Sequence, residues 1–208
     1  EVSVRAAASS DFVIDEAGVL RSYSGSDTEV SVPGGVTALA DRVFARSSVA
    51  SVELPDTVER IGASAFEGAA SLASVTVGEG LPSGLRQIGA RAFLGTGLAV
   101  INVPDSVSDI GPGAFALMPS LTGVSIGSGV REGQLVSTFT ASPKLKAITV
   151  KADNASYDSV DGVLFTKGRD TLLTYPLGRA GVSYTVPDGT RALAQESFEG
   201  ASLDEVTL

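Results

Sequence analysis

The chain has 208 residues, of which 43% are hydrophobic and 19% charged, and its formal net charge of −9 gives a pI of about 4.5. This composition is typical of a folded chain, and its acidity argues against a nucleic acid partner, since nucleic acids attract basic surfaces. The chain has no cysteine and no histidine. Thiol catalysis, a Ser-His-Asp site, and zinc or haem sites held by those residues are therefore excluded.

The first predicted element is a β-hairpin near the N-terminus. Residues 12–20 resemble a later segment, residues 157–176, in which Asp161-Gly162 predicts a hairpin turn with a strand on each side. We interpret both segments as the same hairpin insert. Placed before the repeats, the first hairpin would cap the open edge of a stack, so residues 12–29 are predicted to be a cap and residues 1–11 a linker.

From residue 30 to residue 208 the chain repeats one pattern, with most steps between copies lying between 22 and 26 residues. A phenylalanine anchors six of the copies; in all but the copy of Phe139 an aliphatic residue lies five positions before it, and Gly or Ala follows that aliphatic residue. The anchors are Phe44, Phe66, Phe93, Phe115, Phe139 and Phe198. Repeats of this length predict a solenoid built mainly of short β-strands, turns and short helical or 3-10 segments, with one continuous apolar core.

Each copy continues into an apolar–polar–apolar triplet, which predicts a short, half-buried strand. The central polar residues are expected to form one exposed row: Ser31, Glu53, Thr76, Asn102, Ser125, Thr149, Thr185 and Thr207. We interpret this flat, mildly polar row, with Thr76, Asn102, Ser125 and Thr149 at its centre, as a surface for an extended protein ligand. The alternative is that Ser and Thr merely suit an exposed strand.

Charge placement gives a second candidate contact surface. The four lysines of the chain, Lys144, Lys146, Lys151 and Lys167, all fall within 24 residues, next to the second predicted hairpin. Residues 144–191 carry a net charge of +2 in a chain of −9. A solvated loop face is the alternative interpretation.

Catalytic and metal-binding patterns are weak. Asp56, Asp105 and Asp188 each follow a strand-ending proline and could supply paired carboxylates, but Pro-Asp is typical of a turn. Four oxygen-bearing residues could hold calcium, although their spacing fits no EF-hand loop and turn chemistry explains each: Asp153, Asn154, Asp158 and Asp161. We therefore expect no enzymatic activity and no cofactor.

The pattern Val-x-x-Ile-Gly-x-x-Ala-Phe, followed by a leucine and Val-x-Val-Pro, resembles the leucine-rich repeat of the BspA type, found in bacterial surface proteins. The Asp-Gly-Val-Leu-Phe segment with its following Tyr-Pro is also similar to inserts of that family. The resemblance covers about residues 12–208, lacks the cysteine often found after the phenylalanine, and is degraded in the fifth copy. It implies attachment functions, such as binding host matrix proteins like fibronectin or fibrinogen. No short motif carries that activity, so the resemblance transfers no functional residue.

Both ends of the sequence are expected to be cut from a longer protein, since the first residue is Glu1 and Val206-Thr-Leu208 stops midway through the pattern. An export signal or anchor would then lie outside it, and no apolar run is long enough to span a membrane. The favoured function is a secreted or cell-surface binding module for adhesion or protein–protein interaction. The alternatives are a passive spacer and, less favoured, a β-solenoid enzyme acting on polysaccharides.

Overall fold

The structure is a computed structural model that describes residues 9–76 and 80–208. These residues form a β-solenoid of about eight turns, which confirms the predicted fold class. Helical structure within them is limited to two 3-10 turns, Ser9–Asp11 and Lys167–Arg169. Most of the predicted linker and Val77, the last residue of the third triplet, lie outside the described residues.

Short strands build the described part of the solenoid. In chain order they are β1 (Phe12–Ile14), β2 (Val19–Tyr23), β3 (Glu29–Ser31), β4 (Ala38–Leu39), β5 (Ser51–Glu53), β6 (Arg60–Ile61), β7 (Ser74–Thr76), β8 (Gln87–Ile88), β9 (Val100–Val103), β10 (Asp109–Ile110), β11 (Gly123–Ile126), β12 (Ala147–Val150), β13 (Tyr157–Val160), β14 (Val163–Thr166), β15 (Thr171–Thr174), β16 (Ser183–Thr185), β17 (Ala192–Leu193) and β18 (Glu205–Thr207). A typical copy contributes two of them. One is a two-residue strand that ends at the aliphatic residue five positions before the phenylalanine, and the other is the strand formed by the triplet.

The two kinds of strand form separate sheets. The two-residue strands β4, β6, β8 and β10 pair in parallel in a sheet of order β1-β2-β4-β6-β8-β10, which begins with the antiparallel hairpin β1-β2. The triplet strands form three parallel sheets, β3-β5-β7, β9-β11-β12 and β16-β18. Equivalent residues of successive copies pair directly, as Ile61 does with Ile88 and Val52 with Val75. This register stacks like side chains on like, which gives the core its columns.

The phenylalanines form a column of rings inside the solenoid. Phe44, Phe66, Phe93, Phe115 and Phe139 stack with centroid distances of 5.3, 5.2, 5.6 and 5.9 Å and interplanar angles of 15° or less. Each ring is at most 2% exposed. Near-parallel stacking of this kind adds aromatic attraction to the free energy of burial.

A third ladder of backbone hydrogen bonds joins the segments that carry these rings. The N–H of Phe66 donates to the carbonyl of Ala92 at 2.8 Å, and the N–H of Gly68 donates to the carbonyl of Leu94 at 2.7 Å. The residues two before and two after each phenylalanine adopt a left-handed backbone conformation. These residues, with φ between 51° and 78°, are Arg42, Arg46, Ser64, Gly68, Arg91, Gly95, Gly113, Leu117, Ser137, Ala141, Glu196 and Gly200.

The second predicted insert is a wall between two apolar cores. Strands β13, β14 and β15 pair antiparallel, and β15 pairs parallel with β17. Leu164 and Leu173 belong to the core of the ring column, whereas their neighbours Phe165 and Leu172 belong to a second core. Since successive side chains of a strand point to opposite faces, the insert is buried on both. It therefore differs from the predicted copy of the N-terminal hairpin, because it contains the additional strand β13 and covers a core with each face.

The stack begins again beyond this insert. The N–H of Tyr175 donates to the carbonyl of Ser197 at 2.8 Å, which is the bond that Phe44 makes to Ala65. The ring of Tyr175 stacks on Phe198 with a centroid distance of 5.2 Å. Tyr175 thus occupies the phenylalanine position of the sixth copy.

Candidate binding surface

The predicted polar row is divided among separate sheets. Asn102, Ser125 and Thr149 lie directly opposite one another on β9, β11 and β12. The hydroxyl of Ser125 donates to Oδ1 of Asn102 at 2.8 Å, and that of Thr149 donates to the carbonyl of Val124 at 3.2 Å. Thr76 lies on β7, whose partner among the described strands is β5. The structure therefore brings three of the four central residues into one sheet and leaves Thr76 on its neighbour.

A groove separates these two sheets. Thr76 and Asn102 both line it, its volume is about 290 Å³, and Phe93 and Phe115 of the ring column form part of its lining. Val100 also lines the groove and is 56% exposed, which places an apolar side chain beside the polar row. The surface around Asn102 is therefore more apolar than the sequence indicates.

The far end of the row forms a shallow, open depression. Ser125, Thr149 and Lys151 line it together with Asp105, and its volume is about 340 Å³. Lys151 forms a hydrogen-bonded ion pair with Asp105, although both side chains remain about half exposed. The hydrogen bond from Lys151 lowers the pKa of Asp105, and the hydrogen bond to Asp105 raises the pKa of Lys151. Three of the eight predicted contact residues thus share one depression.

The four lysines do not form a single patch. Lys146 precedes β12 and Lys151 follows it, so the two lie at opposite ends of a four-residue strand, roughly 17 Å apart along the strand direction. Lys167 lies near Lys151, because its Nζ donates to the carbonyl of Ala152 at 3.2 Å. Lys144 and Lys146 are exposed at the other end. The structure therefore divides the predicted lysine surface into two pairs.

The side chains considered for calcium are engaged in holding the loop between β12 and β13. The buried amide of Asn154 donates to the carbonyl of Gly127 at 2.8 Å, and its Oδ1 accepts the N–H of Tyr157 at 2.9 Å. Asp158 forms an ion pair with Lys167 at 3.0 Å. Within residues 9–76 and 80–208, no three acidic side chains are grouped so that they could hold a metal ion.

Shifted pKa values in the described residues trace to burial or to surface turns and ion pairs. Burial raises the pKa of Tyr23, Tyr157 and Tyr184, whereas hydrogen bonding lowers the pKa of Asp15 and Asp105 and raises that of Lys151. Tyr157 packs into the degraded fifth copy, where its hydroxyl donates to the carbonyl of Arg131 at 2.9 Å. These shifts have structural causes and do not mark an acid–base site.

Comparison with known proteins gives a family and a set of similar folds. A model of the BspA type leucine-rich repeat region matches residues 28–160 with six copies. No curated protein matches the chain. Residues 9–76 and 80–208 include no helix with the length and apolar character needed to traverse a membrane.

Three solved structures illustrate the shared fold. A leucine-rich repeat protein from Eubacterium ventriosum is 24% identical, with a TM-score of 0.75 over 91% of this chain and 53% of that one. The pneumococcal vaccine antigen PcpA is 23% identical, with a TM-score of 0.65 over 91% of this chain and 63% of that one. The leucine-rich repeat protein of T. pallidum is 24% identical, with a TM-score of 0.63 over 98% of this chain and 82% of that one. The chain thus spans less than two thirds of the first two proteins.

Proposed function

Because the chain belongs to the BspA type leucine-rich repeat family, we propose that it is a non-enzymatic binding module of a secreted or cell-surface protein, with another protein as its ligand. The observation that carries this proposal is the in-register row Asn102–Ser125–Thr149 on β9, β11 and β12. The backbone of this sheet is fixed by ladder hydrogen bonds on a packed core, so binding to this row requires no ordering of the backbone.

The chemistry of this face suits a polypeptide better than a small molecule. Its two recesses, beside Val100 and beside Lys151, are open, and both border β9. Asn102 and Ser125 offer donors and acceptors, Val100 offers apolar area, and the Asp105–Lys151 pair offers both charges. An extended segment of a protein could contact these groups in succession.

The ligand that we propose is a host extracellular matrix protein or a protein of another cell surface. The family resemblance supports this class of partner, and the description of PcpA as a vaccine antigen motivates a surface location for the present chain as well. The net charge of −9 disfavours nucleic acid.

A paired set of variants tests this face. Asn102→Lys with Thr149→Lys places two bulky charges on either side of Ser125, and we expect it to weaken binding to immobilised fibronectin or fibrinogen roughly tenfold or more. The matched control is Ala70→Lys with Gln87→Lys, which adds the same charge at exposed positions away from β9, β11 and β12. Surface plasmon resonance would measure both pairs beside the unchanged chain.

Each outcome of this comparison has a distinct meaning. Saturable binding that is lost in the first pair and kept in the control supports the proposed face. Equal binding by both pairs would place the contact elsewhere on the chain. An unchanged chain that binds neither matrix protein would contradict this partner class and favour the spacer.

A further inference from the structure

The break between the two ring stacks leaves a cavity. The column ends at Phe139, whose ring neighbour among the described residues is Phe115 at 5.9 Å, and the next stack begins at Tyr175. Both Phe139 and Tyr175 line a cavity of about 330 Å³. Elsewhere in the column the rings follow one another within 5.9 Å, whereas no ring stacks on the other face of Phe139 among the described residues.

The cavity has an apolar interior and an acidic rim. Its apolar lining includes Phe139, Leu145, Leu173 and Tyr175, and each of these side chains is buried against one of the two cores. Glu196 and Glu199 are exposed at its edge, on the turn that carries Phe198. The described lining contains no basic side chain.

The two glutamates carry charge that is not balanced nearby. Neither Glu196 nor Glu199 forms an ion pair within the described part of the chain, whereas six other acidic residues do. They belong to a chain whose net charge is −9. A cation at this rim is therefore favoured both by local contact and by the field of the whole molecule.

We propose that this cavity receives a lysine or arginine side chain presented by a protein partner. The long methylene stem of such a side chain would contact Phe139 and Leu145, while its cationic end would reach Glu196 and Glu199. Side chains of this type combine an apolar stem with a charged end, which is the combination that the cavity complements. The volume lies near the lower limit for ligand pockets, roughly 300 Å³, which suits one side chain rather than a folded element.

This site is independent of the β9-β11-β12 face, because it lies at the junction of the two stacks and shares none of the residues of the polar row. A partner that contacts both would gain affinity through two linked contacts. Failure of one site would leave the other intact.

The test is a titration of the isotopically labelled chain with Nα-acetyl-lysine N-methylamide, followed by NMR. We expect a Kd on the order of 1–10 mM, given the small size of this probe, with shifts of the backbone amides near Phe139, Glu196 and Glu199. The Glu196→Gln, Glu199→Gln variant should weaken binding roughly fivefold, because it removes two partly exposed charges. The control, Glu16→Gln with Glu132→Gln, removes the same charge at exposed positions elsewhere and should leave binding unchanged.

Two further probes decide what the site recognises. The norleucine analogue keeps the stem without the ammonium group, and binding as tight as that of the lysine probe would overturn the role of the glutamates. Butylamine keeps both the stem and the ammonium group without the peptide groups, so it should bind about as tightly as the lysine probe, and a loss of binding would overturn recognition through these two groups. Shifts confined to other parts of the chain would also overturn the proposal.

Discussion

The two ring stacks begin alike on either side of the insert. Tyr23 at the end of β2 packs against Phe44 in a tilted arrangement with a centroid distance of 5.4 Å, and Tyr175 just after β15 stacks on Phe198 at 5.2 Å. In each case the preceding antiparallel strands supply the tyrosine and the first short parallel strand pairs with them. A hairpin of this kind is therefore a starting unit for a stack, whether it lies at the beginning of the chain or within it.

The two stacks end differently. The first runs through five buried phenylalanines, whereas Phe198 of the second stack is only half-buried. Ile88 in the first stack is fully buried, and Leu193 at the equivalent position of the second is 43% exposed. The equivalent residues are of the same type in both stacks. The difference in their exposure therefore shows that a neighbouring copy on each side is needed to bury these side chains.

The residue after the aliphatic position marks where each stack starts. It is alanine in the copy that follows a hairpin, at Ala40 and Ala194, and glycine in later copies such as Gly89. A Cβ at Gly89 would lie 2.5 Å from the backbone nitrogen of Ala63 in the preceding copy. The repeat therefore requires glycine where one such turn stacks on another.

The largest expected effect is the loss of stability when a phenylalanine ring is removed, which should differ between the two stacks because their rings are buried to different extents. Phe93→Ala should lower the free energy of unfolding by about 3–5 kcal/mol, because it removes a ring that is buried between two others. Phe198→Ala should cost less, about 1–2 kcal/mol, because Phe198 already contacts solvent. Urea unfolding followed by circular dichroism measures both, and equal losses would contradict the difference that we draw between the stacks.

A second prediction concerns the close contact of successive turns. Gly89→Ala should destabilise the chain by about 1–3 kcal/mol or more, since the new methyl group meets backbone that cannot move aside cheaply. Ala194→Gly, the opposite change in the second stack, should cost about 1 kcal/mol or less. Thermal unfolding would measure both variants. An unchanged stability in Gly89→Ala would contradict the requirement for glycine at this position.

A smaller effect of opposite sign is expected at Leu117. This residue has φ of 57° and is 53% exposed, so its left-handed backbone is strained while its side chain gains little from burial. Leu117→Gly should raise the free energy of unfolding by about 0.5–1 kcal/mol. Leu117→Ala removes the same exposed carbons but keeps the strain, and a similar gain in that control would rule out the backbone explanation.

The smallest expected effect is a dependence of stability on pH in the first hairpin. Hydrogen bonds from the backbone N–H of Val19 and contacts with Arg21 lower the pKa of Asp15 in the first hairpin. A lowered acid pKa stabilises the folded state above the usual aspartate value near pH 4, and this contribution is lost as the pH falls through the lowered pKa. Asp15→Asn should thus reduce Tm at neutral pH and have little effect near pH 2. A constant difference in Tm across this range would contradict the assignment.

Local patterns predicted much of the fold. Phenylalanine spacing and the alternating triplets of Val52-Glu-Leu54 and its equivalents identified the stacked rungs, because apolar periodicity follows directly from which side chains face the core. The Asp161-Gly162 turn was also predicted correctly, and both residues have positive φ. The two-residue strands such as β6 were not, because two residues are too few to show a period.

The binding surfaces were harder to predict because they depend on contacts between distant residues. The pairing of Lys151 with Asp105 joins positions 46 residues apart, and no local pattern indicates it. The role of Tyr175 was missed because the phenylalanine alignment skipped the longer sixth copy. The uninterrupted apolar run Val163-Leu164-Phe165 in the insert did carry a signal, but only the presence of two cores shows that both faces are covered.

The buried insert also has a consequence for how the molecule responds to denaturation. The side chains on its two faces belong to separate apolar clusters, one with Leu164 and one with Phe165. In a linear array, cooperativity passes only through contacts between neighbours, so a wall between two cores is a natural boundary between cooperative units. The shorter C-terminal stack can then open first while the longer one retains its protected amides, and the strands of the insert become the new end of the part that remains folded.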